Sequence, residues 1–293
     1  MEYRALGKTG MKVSVVGIET HQWSGMGGRL FSVLDIRAIL ARAEKSGINF
    51  IDTGECYFFH AAERLLGDAL GKNRKKFIIA TKFGHKSEPQ RVVPAWTKEA
   101  IQKSLENSMK ALNTDYIDLY QIHLNSTEDA QSIRTNISSI KEVLHEAWRT
   151  GKVRAVGICL GDNELFDTNG ALLKDVAKML DIEIVQFVYS RLAREAEKQI
   201  LPFAKKHELG VIARAPLSKG YLSTRFKPTN KSYDAERMKE VEKIKETEVP
   251  AGADLSEWAI AWCASNPLVS SVVPGCSAPE QIDSTVRALK IKV

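Results

Sequence analysis

Residues 48–57, Ile-Asn-Phe-Ile-Asp-Thr-Gly-Glu-Cys-Tyr, are the stretch of the sequence that decides the fold. The aromatic and β-branched residues Phe50 and Ile51 predict a strand. The chain then turns polar, with Asp52 at the strand end and Tyr57 five residues later. An N-capping Asp and a packed Tyr would give this pattern in an ordinary loop. The pattern is also typical of a catalytic site at one face of an α/β barrel.

Two later strand patterns end on further reactive side chains. Residues Phe77–Lys82 form an apolar run that ends on a lysine, and residues Ile117–His123 form one that ends on a histidine. Each residue taken alone fits a structural role, as a strand-end lysine or a hydrogen-bonded core histidine. Three successive strand ends that carry Asp and Tyr, then Lys, then His instead indicate one shared site at the carboxyl ends of the strands.

Strand patterns and helix patterns alternate along the chain, which is typical of α/β proteins. The strand patterns cover Val13–Ile18, Ile48–Asp52, Phe77–Lys82, Ile117–His123, Val153–Cys159, Ile184–Ser190, Gly210–Ala215 and Ser270–Pro274. The helix patterns cover Leu34–Ser46, Ala62–Leu70, Thr97–Leu112, Ser138–Thr150, Leu165–Met179, Glu195–His207, Leu255–Ser265 and Pro279–Ala288. Eight such units predict a (β/α)8 TIM barrel in one domain over residues 1–293, with a β-hairpin at Tyr3–Val15. A doubly wound open sheet is the alternative, but no Gly-x-Gly-x-x-Gly follows the first strand.

The composition is that of a soluble globular protein, with 44% hydrophobic and 27% charged residues. No apolar run approaches the roughly 18 residues of a membrane span, and the N-terminus lacks a signal peptide, so we expect a cytoplasmic protein. The four cysteines have no CxxC spacing, which predicts neither disulfides nor a zinc site. The net charge of +6 suits a dinucleotide phosphate. The basic residues are spread along many helices and form no continuous tract, which argues against nucleic acid as a partner.

The strand-end residues resemble those of a known family. Asp-Thr-x-x-x-Tyr at residues 52–57, Thr-Lys at 81–82 and Gln-Ile-His at 121–123 are similar to the catalytic motifs of the aldo-keto reductases. The resemblance extends from Leu-Gly-Lys-Thr-Gly at 6–10 to Val-Val-Pro-Gly at 272–275. It implies an NAD(P)H-dependent enzyme that reduces an aldehyde or a ketone, in a barrel whose bottom is capped by the N-terminal hairpin.

The four motif residues form a chemically consistent set. Reduction of a carbonyl needs a proton donor, and a phenol with a pKa of about 10 is a poor donor unless that pKa is lowered. By resemblance, Tyr57 is the general acid, and Lys82 lowers its pKa with Asp52 as the lysine's counter-ion. A neutral His123 would hydrogen-bond and orient the carbonyl oxygen.

The resemblance also implies a set of cofactor-binding positions, with NADP as the expected cofactor and NAD as a possible one. Gln186 matches the residue that holds the nicotinamide carboxamide, and Arg214 stands where the family most often stacks a tyrosine on the ring. The turn at residues 273–281 matches the adenosine-phosphate site, at a helix N-terminus that suits a phosphate. The complete set is Thr20, Cys159, Gln186, Arg214, Leu217, Lys219, Gly220, Gly275, Ser277 and Gln281, of which Leu217, Lys219 and Gly220 match a strap over the pyrophosphate.

Several positions depart from the family pattern. Glu19 replaces a glycine that approaches the nicotinamide ribose, and Cys159-Leu160 replaces a Ser-Asn pair that also holds the carboxamide. Cys276 stands where a basic residue often follows Pro-Gly, and Ser284-Thr285 replaces the residues that grip adenine. Each change removes a hydrogen bond or adds bulk at the expected cofactor site.

The chain stops at Val293, soon after the last helix pattern, which predicts an open substrate pocket. The candidate lining residues Trp23, Phe58, Phe59 and Trp96 fit core packing equally well. Two functional hypotheses therefore stand: a working reductase with a small carbonyl substrate, and a catalytically drifted protein that acts as a ligand-binding or regulatory subunit. The sequence leaves the substrate and the oligomeric state open.

Overall fold

The computed structural model describes residues 1–25, 28–88, 91–162, 166–224 and 231–293. Its strands are β1 (Tyr3–Ala5), β2 (Lys12–Ser14), β3 (Ile18–Glu19), β4 (Phe50–Asp52), β5 (Ile78–Phe83), β6 (His85–Glu88), β7 (Arg91–Pro94), β8 (Ile117–His123), β9 (Val153–Cys159), β10 (Ile184–Val188), β11 (Gly210–Arg214) and β12 (Ser271–Val273). Its helices are α1 (Val33–Lys45), α2 (Ala61–Leu70), α3 (Lys98–Ala111), α4 (Thr127–Thr135), α5 (Ile137–Arg149), α6 (Phe166–Met179), α7 (Ile200–His207), α8 (Lys231–Thr247), α9 (Leu255–Ser265) and α10 (Pro279–Ala288).

Eight of these strands form a parallel sheet in the order β12-β11-β10-β9-β8-β5-β4-β3. Parallel bridges from Val16 to Val272 and from Glu19 to Gly275 bring the two edges together. The sheet is therefore a nearly closed barrel, and the predicted (β/α)8 fold is confirmed. Among the described helices, none is long and apolar enough to cross a bilayer.

The N-terminal hairpin, β1 with β2, is also confirmed. Leu6 in its turn is fully buried and belongs to the cluster of apolar side chains inside the barrel. A Cβ on Gly7 would lie 2.3 Å from the backbone nitrogen of Gly210, so the turn packs against the first residue of β11. The hairpin thus plugs the amino-terminal end of the barrel.

Two predicted elements differ from the observed ones. The first barrel strand was expected over Val13–Ile18, but Lys12–Ser14 pairs in the hairpin and the barrel strand is the short β3. The Ser14 hydroxyl donates to the carbonyl of Val16 and bends the chain between them. The helix expected over Glu195–His207 is a 3-10 turn at Glu195–Glu197 followed by α7. Leu165, the predicted start of another helix, lies outside the described residues.

Two layers of side chains fill the barrel, because residues two apart on a strand point to the same side. The lower layer is apolar and comprises Phe50, Ala80, Leu119, Ala155, Ile184, Ile212 and Val273. Two residues further along each strand, the upper positions are Asp52, Lys82, Gln121, Gly157, Gln186, Arg214 and Gly275. The polar layer therefore stands at the carboxyl ends of the strands, on a hydrophobic floor.

The helices pack around the barrel through apolar stripes. On α5, Ile140, Val143, Leu144 and Ala147 recur at helical spacing and are buried against the sheet. Side-chain caps define several helix starts, such as Ser32, whose hydroxyl accepts from the backbone nitrogen of Asp35. The outer core fixes the strands, and the strands fix the direction of the polar layer.

Candidate active site

A buried ion pair stands at the centre of the polar layer. The Lys82 ammonium donates to Asp52 Oδ2 at 2.6 Å and to the carbonyl oxygen of Thr53 at 2.6 Å. Lys82 is 1% exposed and Asp52 is fully buried. Burial alone would lower the pKa of Lys82, but the charge and the hydrogen bond of Asp52, together with the neighbouring Cys159 and Glu19, outweigh burial and raise the pKa. The lysine is therefore a fixed cation.

The Tyr57 hydroxyl reaches this cation from the turn after β4. Lys82 Nζ donates to the Tyr57 oxygen at 3.2 Å, and the His21 ring meets the Tyr57 ring edge-on at 5.0 Å. Phe58, Phe59 and His60 follow with φ angles of 53°, 55° and 61°. Left-handed backbone at consecutive non-glycine residues is strained, and such strain clusters at functional sites. This turn, which the sequence pattern did not indicate, aims Tyr57 into the barrel.

The pKa of Tyr57 differs from the sequence-based expectation. It is raised well above the ordinary phenol value, first by burial and then by the negative charges of Glu19 and Asp52. The Glu19 side chain is near enough to the Tyr57 hydroxyl for each group to shift the pKa of the other. The predicted lowering of this pKa by Lys82 is therefore opposed, first by burial and then by the charges of Glu19 and Asp52.

Glu19 is the second carboxyl group of the site. It is the strand partner of Asp52, and its Oε1 accepts from the backbone nitrogen of His21 at 2.8 Å. Glu19 keeps some exposed surface, but its partial burial, followed by the charge of Asp52, raises its pKa to about 7. Near neutrality Glu19 is thus divided between a neutral acid and a carboxylate.

His123 at the end of β8 is held as a neutral imidazole. Burial, followed by the charges of His85 and Lys82, lowers its pKa well below the ordinary value. The Cys56 sulfur lies 3.6 Å from His123 Nδ1. Burial raises the pKa of the Cys56 thiol to about 12, so the thiol keeps its proton. In the tautomer in which Nδ1 accepts from this thiol, His123 Nε2 carries the imidazole hydrogen and can donate to a carbonyl oxygen.

A second histidine, which the sequence analysis missed, supports the first. The His85 ring meets the His123 ring edge-on at 5.2 Å. His85 Nε2 lies 2.9 Å from Asp129 Oδ2, and Asp129 also accepts from Trp96 Nε1 at 3.4 Å. The only sequence feature that marks His85 is its position three residues beyond Lys82, just after the end of a strand.

Glu55 anchors the back of the site. Its carboxyl group accepts from the backbone nitrogen of His85 at 2.8 Å and from the Ser104 hydroxyl. Ser104 in turn accepts from the Tyr120 hydroxyl at 3.1 Å. Burial raises the pKa of Glu55 to about 7, although its hydrogen bonds to Ser104 and His85 oppose that rise. The network ties the Tyr57 turn to α3 and β8.

The residues predicted to meet the nicotinamide carry buried polar atoms that have no partner. Gln186 is fully buried and accepts a hydrogen bond from Gln121 Nε2 at 2.8 Å, which leaves Gln186 Nε2 and Gln121 Oε1 unpaired. Thr20 Oγ1 and Asp52 Oδ1 are also buried without a partner. An unpaired buried polar group costs about 1–3 kcal/mol, so several at one site point to a polar ligand. This end of the site fits a nicotinamide nucleoside.

The neighbouring positions are tied to one another by a carboxylate. Arg214 Nη2 donates to the carbonyl oxygen of Leu160 and to Asp162 Oδ1, both at 3.1 Å. Lys219 Nζ lies 3.2 Å from Asp162 Oδ2, in a turn where Lys219 and Gly220 have φ angles of 57° and 99°. Leu217 packs on the core, and Cys159 is buried beside Arg214. The residues predicted to contact the pyrophosphate therefore lie close together, but Asp162 already forms ion pairs with Arg214 and Lys219.

The predicted phosphate turn is closed by its own side chain. Gln281 Oε1 accepts from the backbone nitrogens of Ser277 and Ala278 at 2.6 and 3.2 Å. It also accepts from the Ser277 hydroxyl at 3.1 Å. A Cβ on Gly275 would lie 2.9 Å from the Gln22 amide nitrogen, so the turn is tightly packed. A phosphate would have to displace Gln281 from the N-terminus of α10.

The candidate pocket residues fall into two groups. Trp23 and Trp96 are 1% and 4% exposed and belong to the core, whereas Phe58 and Phe59 are exposed beside Tyr57.

The four cysteines are all thiols. Within the described ranges, no group of His, Cys, Asp and Glu side chains has the arrangement of a metal site.

Comparisons with known proteins identify the family and support the fold. The family model described as "Aldo/keto reductase family" matches residues 24–293. An "Uncharacterized oxidoreductase YqkF" of Bacillus subtilis is 29% identical over 98% of this chain and 91% of its own length. A "Probable voltage-gated potassium channel subunit beta" of Arabidopsis thaliana is 27% identical over 99% of this chain and 92% of its own length.

A solved structure of an aldo-keto reductase has the same fold as this chain. The holo form of the aldo-keto reductase AKR11C1 from Bacillus halodurans is 28% identical and superposes with a TM-score of 0.85. The match covers 100% of this chain and 92% of that chain. The apo form of AKR11C1 superposes with a TM-score of 0.77. The family model spans most of the sequence and the fold agrees throughout, so this chain belongs to the aldo/keto reductase family.

Proposed function

We propose that this protein is an oxidoreductase that reduces an aldehyde or a ketone to an alcohol with NAD(P)H. The observation that carries the proposal is the contact of Lys82 Nζ with both Asp52 and the Tyr57 hydroxyl in a buried layer. Such an arrangement places a proton donor beside a fixed cation, with the neutral His123 on the next strand.

Each residue then has a distinct part in the reaction. The reduced nicotinamide supplies the hydride when the cofactor is bound. Tyr57 donates a proton to the carbonyl oxygen, and the Lys82 ammonium stabilises the phenolate that remains. His123 donates a hydrogen bond through Nε2 and fixes the direction of the carbonyl group. Asp52 keeps the Lys82 charge in place.

The cofactor assignment rests on the nicotinamide end of the site. Thr20 and Gln186 offer unpaired buried polar atoms, and the holo form of the compared reductase superposes better than its apo form. The net charge of +6 favours NADP, whereas residues 276–277 offer no basic side chain. We therefore propose NADP as the cofactor, with NAD as a substitute and a small carbonyl compound as the substrate.

A regulatory or ligand-binding role is the second candidate. Glu19 beside Tyr57 and the Gln281 cap on α10 both oppose rapid turnover. Two relatives are described as probable voltage-gated potassium channel β subunits. The intact contacts of Tyr57 and Lys82 favour the enzyme, because a purely binding role does not require them.

The variant Tyr57→Phe tests the proposal. We expect kcat for carbonyl reduction to fall at least about 100-fold, because the phenol proton is lost, while the Kd of NADPH stays within about twofold. Tyr3→Phe, at the opposite end of the barrel, is the matched control and should keep full activity. The measurements are NADPH oxidation with a panel of aldehydes and ketones, and fluorescence titration with NADPH and NADH.

Wild-type-like activity of Tyr57→Phe would contradict the catalytic assignment. Binding of NADPH without turnover of any carbonyl compound would favour the second candidate. No binding of either nucleotide up to millimolar concentration would contradict the proposed use of a cofactor.

A further inference from the structure

Gln121 has no role in the reaction described above, yet it lies in the polar layer between Lys82 and Gly157. We infer that Gln121 and Gln186 together form a receptor for a primary carboxamide, with Gln121 as an additional cofactor-anchoring residue. This inference rests on the proposed use of NAD(P)H. It assigns to Gln121 the hydrogen bond that Cys159 and Leu160 cannot supply.

A glycine allows the two amides to meet. In the sheet, Gln121 on β8 is the partner of Gly157 on β9, and Gly157 is the partner of Ile184 on β10, two residues before Gln186. A Cβ on Gly157 would already lie 3.1 Å from the carbonyl oxygen of Ile184 and 3.2 Å from Leu119 Cδ1, so a larger residue would crowd this part of the barrel. The Gln121–Gln186 hydrogen bond of 2.8 Å joins the two strands on either side of this glycine.

The two glutamines have one unpaired donor and one unpaired acceptor, which a primary carboxamide could satisfy. One amide–amide bond uses Gln121 Nε2 and Gln186 Oε1, which leaves one acceptor, Gln121 Oε1, and one donor, Gln186 Nε2. Exchange of oxygen and nitrogen in both amides would leave one donor and one acceptor again. A primary carboxamide offers the complementary donor and acceptor, whereas a carboxylate or a ketone offers acceptors only.

The position of the pair also fits this ligand. Both glutamines are fully buried, directly above the apolar side chains of Leu119 and Ile184. Lys82 is the strand partner of Gln121, so the receptor adjoins the cation that contacts Tyr57. An amide held by this pair would lie next to the groups that carry out the proton transfer.

The test compares two nucleotides in a binding experiment. NADPH and its reduced 3-acetylpyridine analogue, in which a methyl ketone replaces the carboxamide, are titrated against the purified protein by tryptophan fluorescence. Because one neutral hydrogen bond is lost, we expect the wild-type protein to bind NADPH about five- to tenfold more tightly than the analogue. Gln121→Met should bind NADPH as weakly as the wild type binds the analogue, and its affinity for the analogue should not change.

Ser108→Ala is the matched control, because it also removes a buried unpaired polar atom but lies on the outer helix α3. It should keep the wild-type preference for NADPH. If Gln121→Met does not fold, as judged by circular dichroism, Gln121→Asn shortens the amide and should abolish the preference in the same way.

The outcomes separate this inference from the proposed function. Equal wild-type affinity for NADPH and the analogue, or an unchanged preference in the Gln121 variant, overturns the carboxamide receptor while cofactor binding stands. Failure of the wild-type protein to bind either nucleotide overturns the proposed function and the receptor with it.

Discussion

Glu19 is the residue that most changes the chemistry of the site. A phenol that gives up its proton becomes a phenolate, and a carboxylate in contact with it opposes that change. Lys82 acts in the opposite direction at 3.2 Å. The balance depends on whether Glu19 carries its proton, and burial together with Asp52 raises its pKa to about 7.

The pH dependence of carbonyl reduction should therefore reflect Glu19. Below about pH 7 Glu19 is neutral, and as the pH rises through 7 its new carboxylate further disfavours the Tyr57 phenolate. We expect kcat to fall several-fold between pH 6 and pH 8. Glu19→Gln should remove this decline, which a pH profile of kcat measures. Glu146→Gln on the surface of α5 is the control, and an unchanged decline in Glu19→Gln would refute the role of Glu19.

Glu55 should affect stability in a similar pH range. Its pKa is raised from 4.5 to about 7 by burial, so between these values the folded protein keeps a proton that the unfolded chain has released. The protonated Glu55 therefore contributes about 3 kcal/mol to the free energy of unfolding below about pH 4.5. This contribution is lost as the pH rises through 7. Urea unfolding should show Glu55→Gln gaining stability relative to the wild type between pH 5 and pH 8. The exposed variant Glu142→Gln should show no such gain in stability relative to the wild type. If the difference in the free energy of unfolding between Glu55→Gln and the wild type does not change with pH, Glu55 does not hold the extra proton.

At the scale of elements, the strand ends were the informative part of the sequence. Asp52, Lys82 and His123 end three strand patterns, and the fold brings Asp52 and Lys82 into contact. The repeated alternation of strands and helices was enough to predict the barrel. Element boundaries were less accurate where a single side chain decides them, as with the bend that Ser14 produces before β3.

The parts that could not be predicted depend on contacts between distant elements. The contacts of His85 with Asp129 and of Gln121 with Gln186 each require distances that no spacing in the sequence reveals. The raised pKa of Tyr57 could not be predicted for the same reason, since it depends first on burial within the folded barrel and then on the nearby charges of Glu19 and Asp52.

Helix packing gives a further test at this scale. A Cβ on Gly67 in α2 would lie 2.5 Å from the carbonyl oxygen of Ala111, where the backbone of α3 ends. Gly67→Ala should therefore destabilise the protein by about 1–3 kcal/mol in urea unfolding, despite the higher helix propensity of alanine. Gly170→Ala in α6 is the matched control, because its Cβ would meet only the flexible side chain of Gln199. Equal effects of the two substitutions would show that backbone contact is not the cause.

At the scale of the whole molecule, a hydrophobic floor and a polar layer share one barrel. The apolar side chains at the amino-terminal half of the strands hold the sheet together, and the charged and amide side chains above them are left to bind and react. Strained backbone borders the same face, at Phe58–His60 and at Ser218–Lys219. The residues that stabilise the barrel and the residues proposed to react thus lie in separate layers of the same strands.

The hairpin plug and the bridges that close the barrel join the two ends of the chain. Arg4 Nη1 donates to the carbonyl oxygen of Val269 at 2.7 Å, and Gly17 donates to that of Val272 at 2.8 Å. These contacts span more than 250 residues, so closing them costs a large loop-closure entropy. During folding, neighbouring strand–helix units can form from local contacts, whereas the seam between β3 and β12 depends on nearly the entire chain being in place.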